Sequence, residues 1–208
     1  MSGPIAILHL DESCLGNGRE GENPGGGGGL MEVRSRRGTI ERRDFFVHEP
    51  ATTNNRMALK GATRALDLLA RKGARFAVLM VSDSQYLVKG MRDWVPAWKA
   101  RGWTRKGGPI ENLELWKALD AASRKHDAQW AWLRGHRRHP KNEYADWLAV
   151  RAAREQRSSD GAVNSQFDEW LVGAQGKGLY AGYDPDAGFA KLEQRVAAGE
   201  EFPLVLAE

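Results

Sequence analysis

The chain has a single cysteine, Cys14, among 208 residues. That excludes an internal disulfide and any zinc site built on several thiolates. No apolar run approaches the length of a membrane span, and the first residues lack a basic stretch followed by an apolar one. The expectation is a soluble, cytoplasmic protein with no membrane partner. The glycine-rich stretch Gly16–Gly29 lacks the GK[ST] ending of a phosphate loop, and no dinucleotide fingerprint sits between a strand and a helix. It reads instead as an enlarged hairpin connection, too rich in glycine to be helix or strand throughout.

What is present begins with Ile5–Asn17, IAILHLDESCLGN. Ile5, Ala6, Ile7, Leu8 and Leu10 predict a buried strand that delivers Asp11 at its carboxyl end, where ligands of α/β sheets gather. Alone, such an aspartate caps a turn; other acids arriving beside it would change its meaning. Net charge is only +4, but it is unevenly spread. Residues 31–43 and 89–106 are basic and the tail from 160 is acidic. Most of the eight tryptophans lie between 94 and 147, interleaved with cations, a composition suited to nucleic acid.

Taken in order, strands are predicted at about 30–36 and 39–47, turning at Gly38. Thr53 or Asn54 caps a helix running to about Lys72, with Ala58, Ala62, Ala65 and Leu69 on its inner stripe. Phe76–Val81 is a buried strand ending at Ser82-Asp83. This β-α-β passage makes a right-handed parallel crossover, so Asp83 emerges at the same end of the sheet as Asp11. Residues 84–101 are helical in pattern, and Trp94–Lys106 forms a basic, aromatic protrusion. A further helix spans 111–125 with Trp116 in the core, and Ala128–Arg134 is a short strand. A last helix begins near Pro140 and carries Asp146, with Glu143 one turn earlier. Short helices near 164–172 and 186–198 complete a tail to which no role is assigned.

In this order, the motifs Asp11-Glu-Ser-Cys-Leu-Gly-Asn17, Thr52-Thr-Asn-Asn-Arg-Met57, Ser82-Asp-Ser-Gln-Tyr86, Trp94…Trp98-Lys…Arg101-Gly-Trp103 and Gly135-His136…His139-Pro-Lys-Asn-Glu143…Asp146 resemble type 1 ribonuclease H, over about residues 5–157. The resemblance implies an α/β ribonuclease H-like fold: a five-stranded mixed sheet flanked by helices on both faces. The domain would cover 1–157, with a basic protrusion at about 89–109 and a C-terminal extension over 158–208. It further implies a monomeric endonuclease that cuts the RNA strand of RNA/DNA hybrids with two Mg2+ ions, Mn2+ being an alternative. Asp11, Asp83 and Asp146 match metal-binding positions, and His136 matches the family's proton-shuttling histidine. His139 is assigned a structural role. Asn17, Asn54, Asn55 and Gln85 would line the hybrid's minor groove, and Thr53 would grip a phosphate. Trp94, Trp98 and Trp103 would be the protrusion's aromatic residues, with Lys99, Arg101, Arg105 and Lys106 meeting phosphates.

One departure stands out. Where the family has a glutamate on the helix after Asn-Asn-Arg-Met, this chain has Ala58. Three readings follow. The enzyme works with its three aspartates plus water or a nearby acid, Glu12 or Glu143; or the protein binds hybrids without cutting them; or Ala58 is an introduced change that traps substrate. The retained set Asp11, Asp83, Asp146 and His136 favours the first. Glu12 is an imperfect substitute, since neighbours on a strand face opposite ways unless a bulge intervenes. Other nucleases of the wider fold, such as resolvases and transposases, are disfavoured by the TNNRM, SDSQY and WKARGW segments.

Overall fold

The structure is a computed structural model that describes residues 3–16, 23–35, 37–134 and 139–206. Asn17 and His136 therefore lie outside the described residues. Five long strands form the sheet: β1 (Ile5–Cys14), β2 (Gly25–Arg34), β3 (Ile40–Glu49), β4 (Ala77–Ser82) and β5 (Asp127–Leu133). The tail adds two-residue strands at both edges, β6 (Val163–Asn164) beside β3 and β7 (Val205–Leu206) beside β5, giving the order β6-β3-β2-β1-β4-β5-β7. The expected five-stranded mixed sheet is thus present and widened to seven by the extension. Pairing is antiparallel through β1-β2-β3 and parallel through β1-β4-β5. No helix among the described residues is long and apolar enough to cross a membrane.

Helix α1 (Asn54–Ala70) is capped by Thr53, whose hydroxyl accepts from the Arg56 N–H, satisfying one of the first-turn donors. Its buried stripe includes Ala58, Ala62, Ala65 and Leu69. Against it the sheet turns Leu8, Leu10, Met31, Phe45 and Met80, while α4 (Leu113–Ser123) closes the same core with a fully buried Trp116. The opposite face is covered by α5 (Pro140–Glu155), by α6 (Phe167–Gln175) and by α7 (Ala187–Ala197). Between β4 and α4 the chain runs through α2 (Gln85–Lys89), a π-helical turn (Gly90–Trp94) and α3 (Val95–Lys99).

The five glycines Gly25–Gly29 are not loop. They form half of β2, buried throughout. A Cβ on Gly26 would stand 2.0 Å from the carbonyl oxygen of Ala149, and one on Gly28 would stand 2.6 Å from the Ala149 amide nitrogen. The strand lies directly against the backbone of α5, and only glycine leaves room for that approach. Composition pointed to a turn because glycine marks turns and close packing alike. Gly38, at φ +81°, does turn the hairpin between β2 and β3, a conformation glycine adopts without steric cost.

The basic stretch 31–43 has a different destination from the nucleic acid its composition suggested. Arg42, only 10% exposed, pairs with Glu32 at 3.0 Å, with Asp168 at 3.2 Å and with Asp186, and lies over the ring of Phe167. Arg34 pairs with Glu193 and lies over Phe189. Two of the stretch's arginines therefore meet the acidic tail, and that ion pairing anchors the extension to the sheet.

Candidate active site at the end of strand β1

The parallel register pairs Leu10 of β1 with Ser82 of β4. The next residues, Asp11 and Asp83, thus stand at the same end of the parallel pair, as the crossover predicts; β4 stops at Ser82, whereas β1 runs on past Asp11 to Cys14, paired with β2. Side chains alternate along a strand, and Leu8 and Leu10 face α1. Asp11 accordingly faces α5, where the Asn142 side-chain amide donates to its Oδ2 at 2.9 Å. Its Oδ1 accepts from the Glu12 N–H at 2.8 Å. Asn142 lies four residues before Asp146, on the same face of α5; this helical spacing was the available sequence signal for a partner not anticipated there.

Glu12 points the other way, to the α1 side, where Ala58 is buried. The alternation that made Glu12 an imperfect substitute for a helix glutamate is what sends its carboxylate to the helix side. It hydrogen-bonds with Ser84, just before α2. Glu143 is engaged elsewhere: it accepts a hydrogen bond from the Tyr180 hydroxyl of the tail.

These acids share one field. Burial, then the charges of Asp83, Glu12 and Asp146, push the Asp11 carboxyl up to about 9. Burial and the Asp83 charge push Glu12 up to about 7, against a hydrogen bond from Ser84 that lowers it. Bringing carboxylates together out of water disfavours their charged forms until a cation compensates. Among the described residues, no three His, Cys, Asp or Glu side chains converge closely enough to hold a metal ion. Asp11, Asp83 and Asp146 are electrostatic neighbours, with Asn142 held against Asp11. The donor set nonetheless fits a hard divalent cation, being all carboxylate oxygens, with Asp11 and Glu12 raised by burial and by neighbouring charge.

Around this cluster lie the residues expected to hold a nucleic acid. Asn54 and Asn55 open α1 beside the Thr53 cap, and the Asn54 Oδ1 is buried with no partner among the described residues. Gln85 opens α2, is exposed, and accepts from Lys89 at 3.0 Å. In the protrusion Trp94 is 36% exposed. Trp98 and Trp103 are partly buried against the α1-side core, and Trp98 stands edge-on to Trp116. Lys99 donates to the buried Asp120 at 2.7 Å, so its charge is already paired. Arg101 is exposed. Cys14 donates to the Thr52 carbonyl at 3.3 Å, tying the end of β1 to the loop that leads into α1.

His139, assigned a structural role, stacks on His9 with ring centroids 5.2 Å apart. Burial, and then Lys141, lower it to about 4.

The RNase H family model matches residues 4–154. Over 153 residues the chain is 41% identical to Ribonuclease HI of Caulobacter vibrioides, covering 73% of this chain and 95% of that protein. It is 44% identical over 146 residues to Ribonuclease H of Herminiimonas arsenicoxydans, covering 69% and 91%. Among solved structures, LC9-RNase H1, described as a type 1 RNase H with the type 2 active-site motif, superposes with a TM-score of 0.81 at 44% identity, covering 100% of this chain and 98% of that one. The foamy virus RNase H domain, at 18% identity and a TM-score of 0.62, shares the fold. The family model stops before the tail, whereas LC9-RNase H1 spans it. By the matched model, the identities and the arrangement of strands and acids, the chain belongs to the RNase H family.

Proposed function

We propose that this protein is an endonuclease that hydrolyses the RNA strand of RNA/DNA hybrids, leaving 5′-phosphate and 3′-hydroxyl ends. In this reading Glu12 takes the place left by Ala58. The observation that carries it is the pair Asp11 and Glu12 at the end of β1: they face opposite sides of the sheet, and both are raised by burial and by Asp83. The neighbouring structure with a type 2 motif on a type 1 fold supports a departure from the type 1 set of acids.

Asp11, Glu12, Asp83 and Asp146 would hold divalent ions, Mg2+ first among them. Bound, such ions supply an activated water and stabilise the leaving oxygen of an in-line displacement. The chain's own residues set the geometry. Asn142 fixes the Asp11 carboxylate, and Ser84 fixes Glu12. His136 would carry the proton between the site and solvent. Thr53 and the amino end of α1 would receive a DNA-strand phosphate, while Asn17, Asn54, Asn55 and Gln85 would meet the minor groove and its 2′-hydroxyls. Trp94, Arg101, Arg105 and Lys106 are the exposed contacts of the protrusion. Trp98 and Trp103 would act chiefly by holding its shape, with Lys99 fixed on Asp120. The protein would work as a cytoplasmic monomer.

The test is cleavage of a labelled hybrid in Mg2+. Asp11→Asn should lower the rate about a thousand-fold, roughly 4 kcal/mol of transition-state stabilisation. Glu12→Gln should fall comparably, and Ala58→Glu in that background should recover part of the loss. Full activity in Glu12→Gln would remove Glu12 from the site; hybrid capture without cleavage by the unaltered chain would overturn the enzyme reading.

A further inference from the structure

A cavity of about 200 Å³ lies on the α5 side of the sheet, between β1, the start of α5 and the tail. Ile7 and His9 form its floor, and Phe189 and Leu192 of α7 cover it. An apolar cavity of roughly 150 Å³ holds a benzene molecule, so this one has room for a single ring with a small head group.

Its polar lining is unusual. His9 is only 2% exposed, and its Nδ1 has no partner among the described residues. The same is true of the His139 Nδ1 and the Arg195 Nε, both in the same cavity. Buried polar groups are normally hydrogen-bonded, and each exception calls for an explanation. Arg195 Nε is a donor only, while its Nη2 is held by Glu200 at 2.9 Å. Lys141 reaches the cavity with its ammonium on Glu32 at 2.7 Å, and Lys191 is exposed at the rim. Among the described residues no Asp or Glu lines the space, and the buried Glu32 stands behind it, on Lys141 and 3.9 Å from the His9 Nε2. The unpartnered Arg195 Nε donor and the exposed Lys191 charge favour an anion, since Lys141 is already held by Glu32, and the surrounding Ile, Phe and Leu favour an apolar body.

We propose that this cavity binds a compact amphiphilic carboxylate, one ring or a short branched chain bearing a single anionic group. The carboxylate would accept from Arg195 Nε and from the two imidazoles in their Nδ1–H tautomers, and the apolar portion would lie between Ile7 and Phe189. A whole nucleotide exceeds the space. The occupant would bridge the tail to β1, which delivers Asp11 two residues beyond His9, and to α5, which carries Asn142 and Asp146.

The test uses the full chain, labelled with 15N, titrated with benzoate and separately with uncharged benzamide. Benzoate should produce saturable shifts in β1 and α7 with a Kd below about 1 mM, and benzamide should bind at least about tenfold more weakly. Arg195→Gln should weaken benzoate about tenfold. Lys191→Gln, on an exposed rim where folding is not at stake, should weaken it about twofold to threefold. The proposal is overturned if benzoate gives no saturable shift at about 10 mM, if benzamide binds equally well, or if both variants leave its Kd unchanged.

Discussion

Towards α1 the sheet presents Leu8, Leu10, Met31, Phe45 and Met80, met by Ala58, Ala62, Ala65 and Leu69. Towards α5 and the tail, the same strands present His9, Glu32 and Asp44, all buried, together with Arg42. The first side is closed by apolar contact with Glu12 at its rim. The second is closed by buried charges and their partners: Glu32 pairs with Lys141 and Arg42, and Asp44 accepts from the Tyr144 hydroxyl at 2.5 Å and the Ser165 hydroxyl at 2.6 Å. Apolar packing tolerates small adjustments, whereas a buried charge that loses its partner is left stranded. The charged side is thus where one change should do most damage. It is also where the tail is tied down.

The comparison can be broken most severely at Lys141. Lys141→Met removes one of two close cations from a fully buried carboxylate and should destabilise the protein by about 3–5 kcal/mol in urea unfolding. Adding Glu32→Gln should return much of that loss, and a loss unchanged in the double variant would mean that packing, not charge, is at stake. Next comes the glycine strand, which offers one test for each side. Gly26→Ala drives a methyl into the α5 backbone and should cost about 3 kcal/mol. Gly27→Ala, whose nearest neighbours on the α1 side stand at 3.2 and 3.4 Å, should cost less than about 1 kcal/mol. Equal costs would erase the distinction between the sides.

The acids at the strand end give a smaller, pH-dependent effect. In metal-free protein, Asp11 is raised from 3.8 to about 9 and Glu12 from 4.5 to about 7. The folded state therefore holds protons that the unfolded chain has released. That contribution is fully present below about pH 4 and is lost as pH rises through 7 to 9. Unfolding midpoints in chelator should fall between about pH 6 and pH 9, on the order of 2 kcal/mol, and saturating Mg2+ should flatten the fall. A flat midpoint in chelator would contradict the shared field. The mildest change is Thr53→Ala, which uncaps α1 and should cost about 1 kcal/mol; its hybrid affinity, measured at the same time, separates the cap from the proposed phosphate contact.

Much of this was legible in the chain itself. Runs of buried apolar residues and helical stripes located β1, α1, β4 and α5, and the parallel crossover put Asp83 at the same end of the sheet as Asp11. Trp116 belonged to the core on its helical spacing alone. Glycine composition, by contrast, suggested a loop where Gly25–Gly29 form a strand, because local composition does not register a helix packed against the backbone. The cations of 31–43 suggested nucleic acid, because their partners Asp168, Asp186 and Glu193 lie more than a hundred residues away. Glu12 was singled out by proximity in sequence, yet its usefulness depends on which side of the sheet it faces.

By itself, then, the sequence determined the order of elements, the family motifs and the delivery of acids to one end of the sheet, since these follow from side-chain period and chain direction. Tertiary structure alone decided that Glu12 meets Ser84, that the tail's acids anchor the arginines of β2 and β3, and that His9, His139 and Arg195 line one cavity. Each of those depends on segments meeting across the fold, and a local pattern carries no record of what it will be packed against.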